Sequence, residues 1–589
     1  MKQFFKIFFA SSLGFVFGSF LVALIGFGIL MAAISSMEED EKVQIEEVSV
    51  LHFKPGMGIG ERTVKDIDQF DFTTFQLNSQ QGLAEILATL KQASSDTRIK
   101  GLYLELDPTF MAGYSTIKEI HDALESFHDS GKFIIAYSTM LAERTYYLAS
   151  TADEIHLNPA GSMLFNGLYA DVWFYKDALD KLGIEMQVFK HGTFKSAVEP
   201  YLFNEMSPAN RLQVTRYVEG LFDTYLSDVA SSRNMDKEML RHISDSMLIR
   251  STSDAKRLGM VDELSYEDQV WDRIWEKLEK EKEDELPLVT MNNYLKANPP
   301  AKNVGKDKIA ILYASGVIQE KGQGKDVMSS EEMLKAIREI RKDDKIKALV
   351  LRINSPGGSA MASDLIYNEL LLLKEKMPII VSMGNVAASG GYYIAAIADT
   401  IVAHPNTITG SIGVFGVIPQ MQKLLNEKLG IYADGVGTGH FSDLGRIDRP
   451  MTPAEKAIIQ QFIEETYLDF TGIVTKHRAI PTEAMDTIAE GRVWTGADAK
   501  ERGLVDVIGG VQVALQLAQE RSGLEQYRLV SYPMVENSWA MFLDMKNEAL
   551  AEKALKDQLG EHYRIFEQYK KATQIQGIQM RMPFEIHVD

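Results

Sequence analysis

The chain has 589 residues, of which 45% are hydrophobic and 24% are charged, the composition of a folded globular protein. Its 82 Asp and Glu residues outnumber its 62 Lys and Arg residues, and this acidic balance argues against nucleic acid as a partner, because phosphate binding requires a basic surface. The sequence contains no cysteine, which excludes disulfides, thiolate zinc sites, iron–sulfur clusters and a cysteine nucleophile. Any covalent catalysis must therefore use a hydroxyl, amine, imidazole or carboxylate group.

The amino-terminal region carries one long apolar segment. Residues 7–34 contain no charged side chain, and about 20 apolar residues suffice to cross the hydrocarbon core of a membrane. Lys2 and Lys6 precede this segment and the acidic run 38–41 follows it, so residues 1–6 are predicted to be a cytoplasmic tail and the residues after position 35 to lie outside the cytoplasm. We interpret 7–34 as an uncleaved transmembrane signal anchor. A cleaved signal peptide is the alternative, but its apolar region normally spans only about 7–15 residues.

The remainder of the chain contains an internal repeat. The Tyr-Tyr pair at 146–147 recurs at 392–393, and the Asp-Ala-Lys sequence at 254–256 recurs at 498–500, at an offset of about 245 positions in both cases. A nearly constant offset indicates two homologous domains in tandem. The predicted limits are 45–265 for the first repeat, 266–307 for a charged linker, 308–530 for the second repeat and 531–589 for a charged, helical carboxyl-terminal appendage.

Each repeat is predicted to have an α/β fold. In the second repeat, short apolar runs suited to strands buried on both faces occur at 309–313, 348–351 and 379–382. Helical patterns lie between them, at 330–341 and 363–376. Strands that alternate with helices predict a largely parallel sheet with right-handed crossovers.

The two repeats differ at a serine flanked by glycines. Ser389 follows a predicted strand and is followed by Gly390 and Gly391, whereas Glu143 occupies the corresponding position of the first repeat. A serine with small neighbours on a turn between a strand and a helix is expected to be exposed, as the serine of a nucleophile elbow is. A helix N-cap is the commoner role for an isolated serine at such a junction. The presence of this serine in one repeat alone favours catalysis.

A second difference is the pair Gly357 and Gly358, which follows another predicted strand and has no counterpart near Asp107 in the first repeat. Because glycine has no Cβ, adjacent glycines allow backbone N–H groups to approach a substrate carbonyl. A plain tight turn is the alternative. We predict that the N–H groups of Gly357 or Gly358, together with that of Gly390, form an oxyanion hole.

A hydroxyl nucleophile requires a base, and the repeats supply two candidates. Lys195 lies in the first repeat, and its counterpart in the second repeat is His440, with Asp443 shortly after it. Lys195 would have to be neutral to accept a proton, and burial lowers the pKa of a lysine from its usual value of about 10.4. A Ser-His-Asp arrangement built on His440 and Asp443 is the alternative.

Four motifs together point to one family. They are Gly-Thr-Phe-Lys-Ser-Ala-Val-Glu-Pro at 192–200, Ser-Pro-Gly-Gly at 355–358, Ala-Ser-Gly-Gly-Tyr-Tyr at 388–393 and Thr-Gly-Ser-Ile-Gly at 409–413. With these motifs, the anchor and both repeats, almost the whole chain resembles the long form of the signal peptide peptidase A (protease IV) family, membrane-anchored Ser/Lys endopeptidases of bacteria.

This resemblance implies a tandem repeat of two ClpP/crotonase-like domains after one transmembrane helix, assembled as a homotetramer. It implies that Ser389 is the nucleophile, Lys195 the general base and Ser411 the residue that hydrogen-bonds the lysine amine. The implied function is degradation of cleaved signal peptides and other unfolded peptides at the bacterial inner membrane, with the catalytic part on the periplasmic side.

Two other classes of function remain open on the residues alone. A crotonase-like acyl-CoA enzyme would use an oxyanion hole without a serine nucleophile, and a non-catalytic membrane scaffold would use neither. The histidines are scattered without the spacing of metal ligands, so we expect no metal, and no motif indicates a cofactor.

Overall fold

The computed structural model describes most of the two repeats. The described residues are 45–63, 82–282, 285–299, 305–322, 326–534 and 578–582, with backbone alone at 70–71, 76–77 and 587–588 and a few helical positions between 11 and 25. The predicted tail 1–6 and most of the predicted anchor 7–34 lie outside the described residues. Within the part that is described, no helix is both long and apolar enough to cross a membrane.

The first repeat is built on a parallel sheet. The strands of this half of the chain are β1 (Ser49–Phe53), β2 (Phe70–Asp71), β3 (Gln76–Leu77), β4 (Ile99–Leu106), β5 (Phe133–Leu141), β6 (Glu154–Met163), β7 (Ala170–Asp171), β8 (Glu185–Lys190), β9 (Glu263–Leu264) and β10 (Leu288–Thr290). Six of them form a sheet in the order β10-β1-β4-β5-β6-β9, and every pair in it is parallel. Parallel pairing requires crossover connections, which the helices supply.

The helices of this half lie between and beyond those strands. They are α1 (Leu83–Ser95), α2 (Tyr114–His128), α3 (Glu143–Ala149), α4 (Lys176–Leu182), α5 (Glu199–Leu202), α6 (Pro208–Arg233), α7 (Lys237–Asp245), α8 (Thr252–Arg257), α9 (Glu267–Leu278) and α10 (Met291–Ala297). A short 3₁₀ turn at Ser196–Val198 leads into α5.

The second repeat has a larger sheet of the same kind. The strands from here to the carboxyl terminus are β11 (Lys308–Ser315), β12 (Val317–Gln319), β13 (Val327–Ser329), β14 (Ile346–Ser355), β15 (Gly357–Ser359), β16 (Ile379–Ala388), β17 (Thr400–Ala403), β18 (Ile408–Gly410), β19 (Phe415–Gln420), β20 (Val493–Thr495), β21 (Val507–Ile508), β22 (Arg528–Tyr532), β23 (Ile578–Arg581) and β24 (His587–Val588). The sheet runs β20-β18-β16-β14-β11-β22, with β17 and β21 branching from β16, and all its pairs except β18–β20 are parallel.

The helices of the second half complete the α/β pattern. They are α11 (Ser330–Lys342), α12 (Ala360–Lys374), α13 (Gly390–Ala395), α14 (Pro453–Arg478), α15 (Met485–Ile488), α16 (Gly496–Glu501) and α17 (Val511–Ser522). The predicted apolar runs lie in β11, β14 and β16, and the predicted helical patterns correspond to α11 and α12. The expectation of a largely parallel α/β sheet is confirmed.

The long helices α6 and α14 begin in the same way in both repeats. Each has proline at its first position and a hydroxyl residue before it, Ser207 or Thr452. The Ser207 hydroxyl accepts a hydrogen bond from the Asn210 N–H, and that of Thr452 accepts one from the Glu455 N–H. A hydroxyl cap followed by proline is a typical helix start, so the repeat in sequence is a repeat of local structure.

A third, mixed sheet joins the two repeats. Its order is β13-β12-β15-β23-β19-β8, so strand β8 of the first repeat pairs with β19 of the second. Strand β23, near the carboxyl terminus, lies between β15 and β19 and is antiparallel to both. Because β15 carries the glycine pair and β8 leads to Lys195, this sheet positions residues of the predicted site from both repeats.

Two segments differ from their description in the sequence analysis. The predicted linker 266–307 contains α9, β10 and α10, and β10 extends the sheet of the first repeat. Within the predicted helical appendage 531–589, the described residues include strands β23 and β24, and most of the remainder lies outside the described residues. Local helical propensity gives no information about strand pairing with distant partners.

Candidate active site

Ser389 stands at the turn between strand β16 and helix α13. Its backbone has φ 56° and ψ −117°, a conformation that L-residues rarely adopt. The Ser389 N–H donates to the Gly410 carbonyl at 2.8 Å, and the Tyr393 N–H donates to the Ser389 carbonyl at 2.8 Å. The Ser389 side chain makes no capping hydrogen bond to α13, so it does not act as the N-cap that the alternative interpretation requires.

Lys195 reaches the second repeat on the loop that follows strand β8. Gly192 in this loop has φ +100°, and a Cβ there would lie 2.4 Å from the Glu490 carbonyl. The Phe194 N–H donates to that same carbonyl at 3.0 Å. Gly491 packs directly on Lys195, since a Cβ at Gly491 would lie 2.6 Å from the lysine Cβ. Two glycines are therefore needed for the close approach that positions the lysine.

The structure brings Lys195 and Ser389 together within one chain. The Lys195 Nζ atom lies 2.8 Å from Ser389 Oγ and 3.1 Å from both the carbonyl oxygen and the Oγ of Ser411. Lys195, Ser389 and Ser411 each have 0% exposed surface. Burial lowers the pKa of Lys195 well below its usual value, because the charged ammonium loses its hydration.

The predicted oxyanion glycines lie beside Ser389. Gly357 has φ +94°, and a Cβ there would lie 2.7 Å from the Gly390 nitrogen. A Cβ at Gly358 would lie 2.0 Å from the Ile318 carbonyl on the neighbouring strand β12. Each position therefore excludes any larger residue. The Gly357 N–H also donates to Ser355 Oγ at 3.2 Å, which orients the turn.

The alternative base is not brought to the serine. His440 is exposed, and its ring packs against Phe441. Asp443 forms an ion pair with Arg449 at 2.8 Å. The position next to Ser389 Oγ is occupied by Lys195, so the geometry does not support the Ser-His-Asp arrangement.

No metal centre is found in the ranges that the structure describes, where His, Asp and Glu side chains do not form a group that could hold an ion. The histidine nearest in sequence to the lysine, His191, hydrogen-bonds to Glu464 and stacks on Tyr467 with ring centroids 3.7 Å apart. His191 therefore ties the lysine loop to helix α14.

Sequence analysis missed a buried ionic cluster that joins the two repeats. Arg352 on strand β14 pairs with Glu61 and Glu119 of the first repeat, at 2.7 Å to each. The Arg352 side chain also donates to Ser382 Oγ on strand β16 at 2.9 Å. An arginine inside an otherwise apolar strand was the available signal, since such a charge must find a partner.

Sequence analysis also missed the strand that lies over the site. Residues 578–582 read Ile-Gln-Met-Arg-Met, an alternation of apolar and polar residues that is typical of a half-buried strand. In the structure they form strand β23 and the residue after it, against the glycine strand β15.

The sequence matches two family models. The model described as Peptidase family S49 matches residues 126–281 and again 372–525, so it recognises both repeats. The model described as Clp protease matches residues 301–409, the part that holds the glycine pair and Ser389.

Several curated proteins are similar to the chain over most of its length. It is 35% identical to "Protease 4" of Haemophilus influenzae over 74% of this chain and 72% of that protein. It is 33% identical to "Serine protease SPPA, chloroplastic" of Arabidopsis thaliana over 76% of this chain and 67% of that protein. A shorter relative, "Putative signal peptide peptidase SppA" of Enterococcus faecium, is 34% identical over 38% of this chain and 67% of its own length.

Proposed function

The chain belongs to peptidase family S49 and is a serine peptidase, and we propose that Ser389 is its nucleophile and Lys195 its general base. The observation that carries this proposal is the 2.8 Å separation of Lys195 Nζ and Ser389 Oγ in a fully buried setting. A lysine acts as a base when it is neutral, and burial favours the neutral amine. Membership of a peptidase family favours peptide hydrolysis over the acyl-CoA alternative.

The proposed reaction has two steps. Lys195 accepts the Ser389 proton as Oγ attacks the carbonyl carbon of the scissile bond, and the lysine then gives that proton to the leaving amine as the bond breaks. Water hydrolyses the resulting ester with Lys195 as base, which regenerates the serine. Ser411 accepts or donates a hydrogen bond at Nζ from 3.1 Å and orients the amine throughout.

The proposed oxyanion hole is formed by the N–H group of Gly390 together with that of Gly357 or Gly358, and the hydrogen bond from the Gly357 N–H to Ser355 Oγ favours Gly358. Gly390 follows the nucleophile directly, and a Cβ on Gly357 would lie 2.7 Å from the Gly390 nitrogen, which supports a shared role for the two turns. Gly358 is the neighbouring candidate on strand β15. One donor of this kind is typically worth about 10²–10³ in kcat.

The proposed substrates are cleaved signal peptides and other extended peptides. The relative from Enterococcus faecium is named as a signal peptide peptidase, which supports this substrate class. An extended peptide can bind by adding as a strand, because main-chain hydrogen bonds bind any unfolded sequence, and β15 and β19 already accept the strand β23 in this way.

We propose that residues 7–34 anchor the chain in the bacterial inner membrane, with both repeats on the periplasmic side. The uncharged length of this segment and the lysines before it support the proposal. A homotetramer and the domain limits 45–265 and 308–530 are proposed from the resemblance to the family.

The test is hydrolysis of a synthetic signal peptide, with the products identified by mass spectrometry. Ser389→Ala and Lys195→Met should each lower kcat by about 10⁴-fold or more. The exposed residues Ser95 and Lys91 provide matched controls, and Ser95→Ala and Lys91→Met should leave kcat unchanged. Retained activity in Lys195→Met would disprove the proposed dyad.

A further inference from the structure

Lys195 is the central residue of a tight turn in the lysine loop, residues 191–196. Its backbone has φ −74° and ψ 77°, and the Ser196 N–H donates to the Phe194 carbonyl at 2.8 Å. These values define an inverse γ-turn. A turn closed by one backbone hydrogen bond depends on further contacts to stay closed, because the net contribution of a single bond is small. The turn also sets the direction in which the lysine side chain leaves the backbone.

The side chain of Gln213 on helix α6 supplies such contacts. It is 2% exposed, and its Nε2 atom lies 3.2 Å from the Phe194 carbonyl oxygen and 2.7 Å from Ser196 Oγ. The Ser196 hydroxyl donates to the Phe194 carbonyl at 2.9 Å, so it accepts from Gln213. Gln213 is therefore hydrogen-bonded to both sequence neighbours of Lys195.

The oxygen of the same amide group is hydrogen-bonded to the second repeat. Gln213 Oε1 accepts from the Val493 N–H on strand β20 at 3.3 Å. Strand β20 is paired with β18, and the carbonyl of Arg492, the residue before Val493, accepts the Ser411 N–H at 2.7 Å. One buried amide therefore bridges the turn that carries Lys195 and the segment that fixes Ser411.

These partners require a side chain that donates and accepts at the same end. The Phe194 carbonyl can only accept and the Val493 N–H can only donate, which also fixes the orientation of the Gln213 amide. Buried backbone groups that lose their partner are costly. An apolar side chain of the same size at position 213 would therefore loosen the turn rather than hold it.

The repeat offers a comparison at this position. Helices α6 and α14 both begin with proline, and Gln213 is the sixth residue of α6, where α14 has Ile458. The first repeat supplies Lys195, whereas the corresponding His440 of the second repeat is exposed. The glutamine thus occurs in the repeat that supplies the lysine, as a residue that serves the lysine would.

We propose that Gln213 is a positioning residue for Lys195, which holds the γ-turn in the conformation that places Nζ between Ser389 and Ser411. This inference rests on the dyad of the proposed function and extends it to a residue that is buried away from substrate and from the reacting atoms. A misplacement of about 1 Å caused by a distant substitution can cost about 10² in rate.

The pH profile separates positioning from a contribution to stability alone. In a loosened turn the Lys195 amine gains access to water, so burial lowers its pKa less and the rising limb of kcat/KM moves to higher pH. The charged neighbours of the lysine loop include Glu490, whose carboxylate accepts the Thr193 N–H at 3.3 Å, and Arg492, which stacks on the Phe194 ring at 4.8 Å. These charges stay the same in every variant, so a displaced limb reports the burial of the amine.

Steady-state hydrolysis of a fluorogenic peptide by the full-length chain tests the proposal. Gln213→Met keeps the volume of the side chain and removes its hydrogen bonds. It should lower kcat by about 10²-fold, leave KM within about twofold and move the limb upwards by about one pH unit. Gln92→Met, at a half-buried glutamine of α1, is the matched control and should leave kcat, KM and the limb unchanged.

A second variant covers the case in which Gln213→Met does not fold. Gln213→Asn keeps a buried amide but is one methylene shorter, so it should move kcat and the limb in the same direction by a smaller amount. Thermal unfolding reports the stability of each variant. A limb at the wild-type pH in the folded variants would overturn the positioning role, whatever the loss of stability, and the dyad would stand if Lys195→Met is inactive. An active Lys195→Met would instead refute the dyad itself.

Discussion

Ser389 is held in a strained backbone conformation by its surroundings. A residue at φ 56° and ψ −117° costs about 1–3 kcal/mol and persists when neighbouring contacts fix it. The hydrogen bond to the Gly410 carbonyl and the start of helix α13 fix it here. This conformation turns the serine hydroxyl towards Lys195 and keeps it away from the role of a helix cap.

The pH dependence of activity should follow the protonation of Lys195. Because burial lowers the pKa of this lysine, kcat/KM should rise with pH along a limb that lies well below the usual lysine value of about 10.4. In Lys195→Arg the guanidinium stays protonated at every accessible pH, so activity should fall by about 10³-fold or more without a limb. Steady-state rates measured between pH 5 and pH 10 check this. An arginine variant with the wild-type profile would contradict the assignment of the base.

A side chain at Gly357 should impair catalysis because its Cβ would make a close contact. A second glycine with a similar φ but no such contact separates this effect from backbone strain. Gly357→Ala combines φ +94° with a Cβ 2.7 Å from the Gly390 nitrogen, so we expect kcat to fall by about 10²-fold or more. Gly131→Ala has a similar φ of +83° and open space, and it should cost about 1 kcal/mol of stability without loss of activity. Peptide hydrolysis and thermal unfolding of both variants provide the measurement, and equal activities would refute the close-contact argument.

The proposed catalytic residues could be selected from the sequence because the repeat provides its own comparison. Ser389 corresponds in the repeat to Glu143, and Lys195 corresponds to His440. The first repeat therefore lacks the serine, and the second repeat lacks the lysine. The distance between serine and lysine could not be predicted, since 194 positions separate them and the strand pairing that joins them is non-local.

At the level of elements, strand β14 and helix α2 are joined by buried charges. Arg352 on β14 contacts Glu119 on α2 at 2.7 Å, and the Val511 N–H of α17 donates to the same carboxylate at 3.1 Å. Burial would raise the pKa of Glu119, but the Arg352 guanidinium and His404 outweigh it and hold the pKa at about 2. Strand β14 leads directly to the glycine turn, so this cluster holds in place a strand that carries part of the proposed site.

The Glu119 carboxylate should make the protein sensitive to acid. The pKa of Glu119 in the folded state, about 2, lies below the value of about 4.3 in an unfolded chain. The contribution of this carboxylate to the free energy of unfolding is therefore complete above about pH 4.3 and is lost as the pH falls towards 2. Glu119→Gln should lower the free energy of unfolding at pH 7 by about 3–5 kcal/mol and flatten its decline between pH 5 and pH 2. Urea unfolding at several pH values measures both. The exposed Glu205→Gln serves as control, and an equally steep decline in Glu119→Gln would contradict the cluster.

The elements that sequence analysis found are those with strong local patterns. The strands β11, β14 and β16 are continuous apolar runs, and such runs predict buried parallel strands without knowledge of their partners. Strand β23 is four residues long and depends on pairing with β15 and β19, so the charged region before it outweighed its alternation and suggested a helix. Short strands are defined by their partners more than by their own sequence.

At the scale of the whole molecule, two repeats of one ancestry make a single proposed site. In the first repeat, the buried Glu143 carboxylate accepts hydrogen bonds from the N–H groups of Asn166 and Gly167, at 2.8 and 3.0 Å. Glu143 corresponds to Ser389 in the sequence repeat, so the first repeat carries no serine at this position. The first repeat contributes instead the lysine, through strand β8 and its pairing with β19.

The pairing of β8 with β19 inside one chain predicts the outcome of mixing two inactive variants. A chain with Lys195→Met lacks the proposed base, and a chain with Ser389→Ala lacks the proposed nucleophile. Because each chain brings its own Lys195 to its own Ser389, at 2.8 Å, mixed assemblies of the two variants should hydrolyse peptide no faster than either variant alone.

Co-expression of the two variants with different affinity tags, followed by tandem purification, would give the mixed assemblies for this assay. If the lysine of one subunit served the serine of another, a mixed assembly would contain intact dyads and recover a substantial fraction of the wild-type rate. Such recovery would contradict a dyad formed within one chain. An inactive mixture, alongside an active wild-type assembly carrying the same two tags, would show that the chain itself is the catalytic unit, whatever its number of copies.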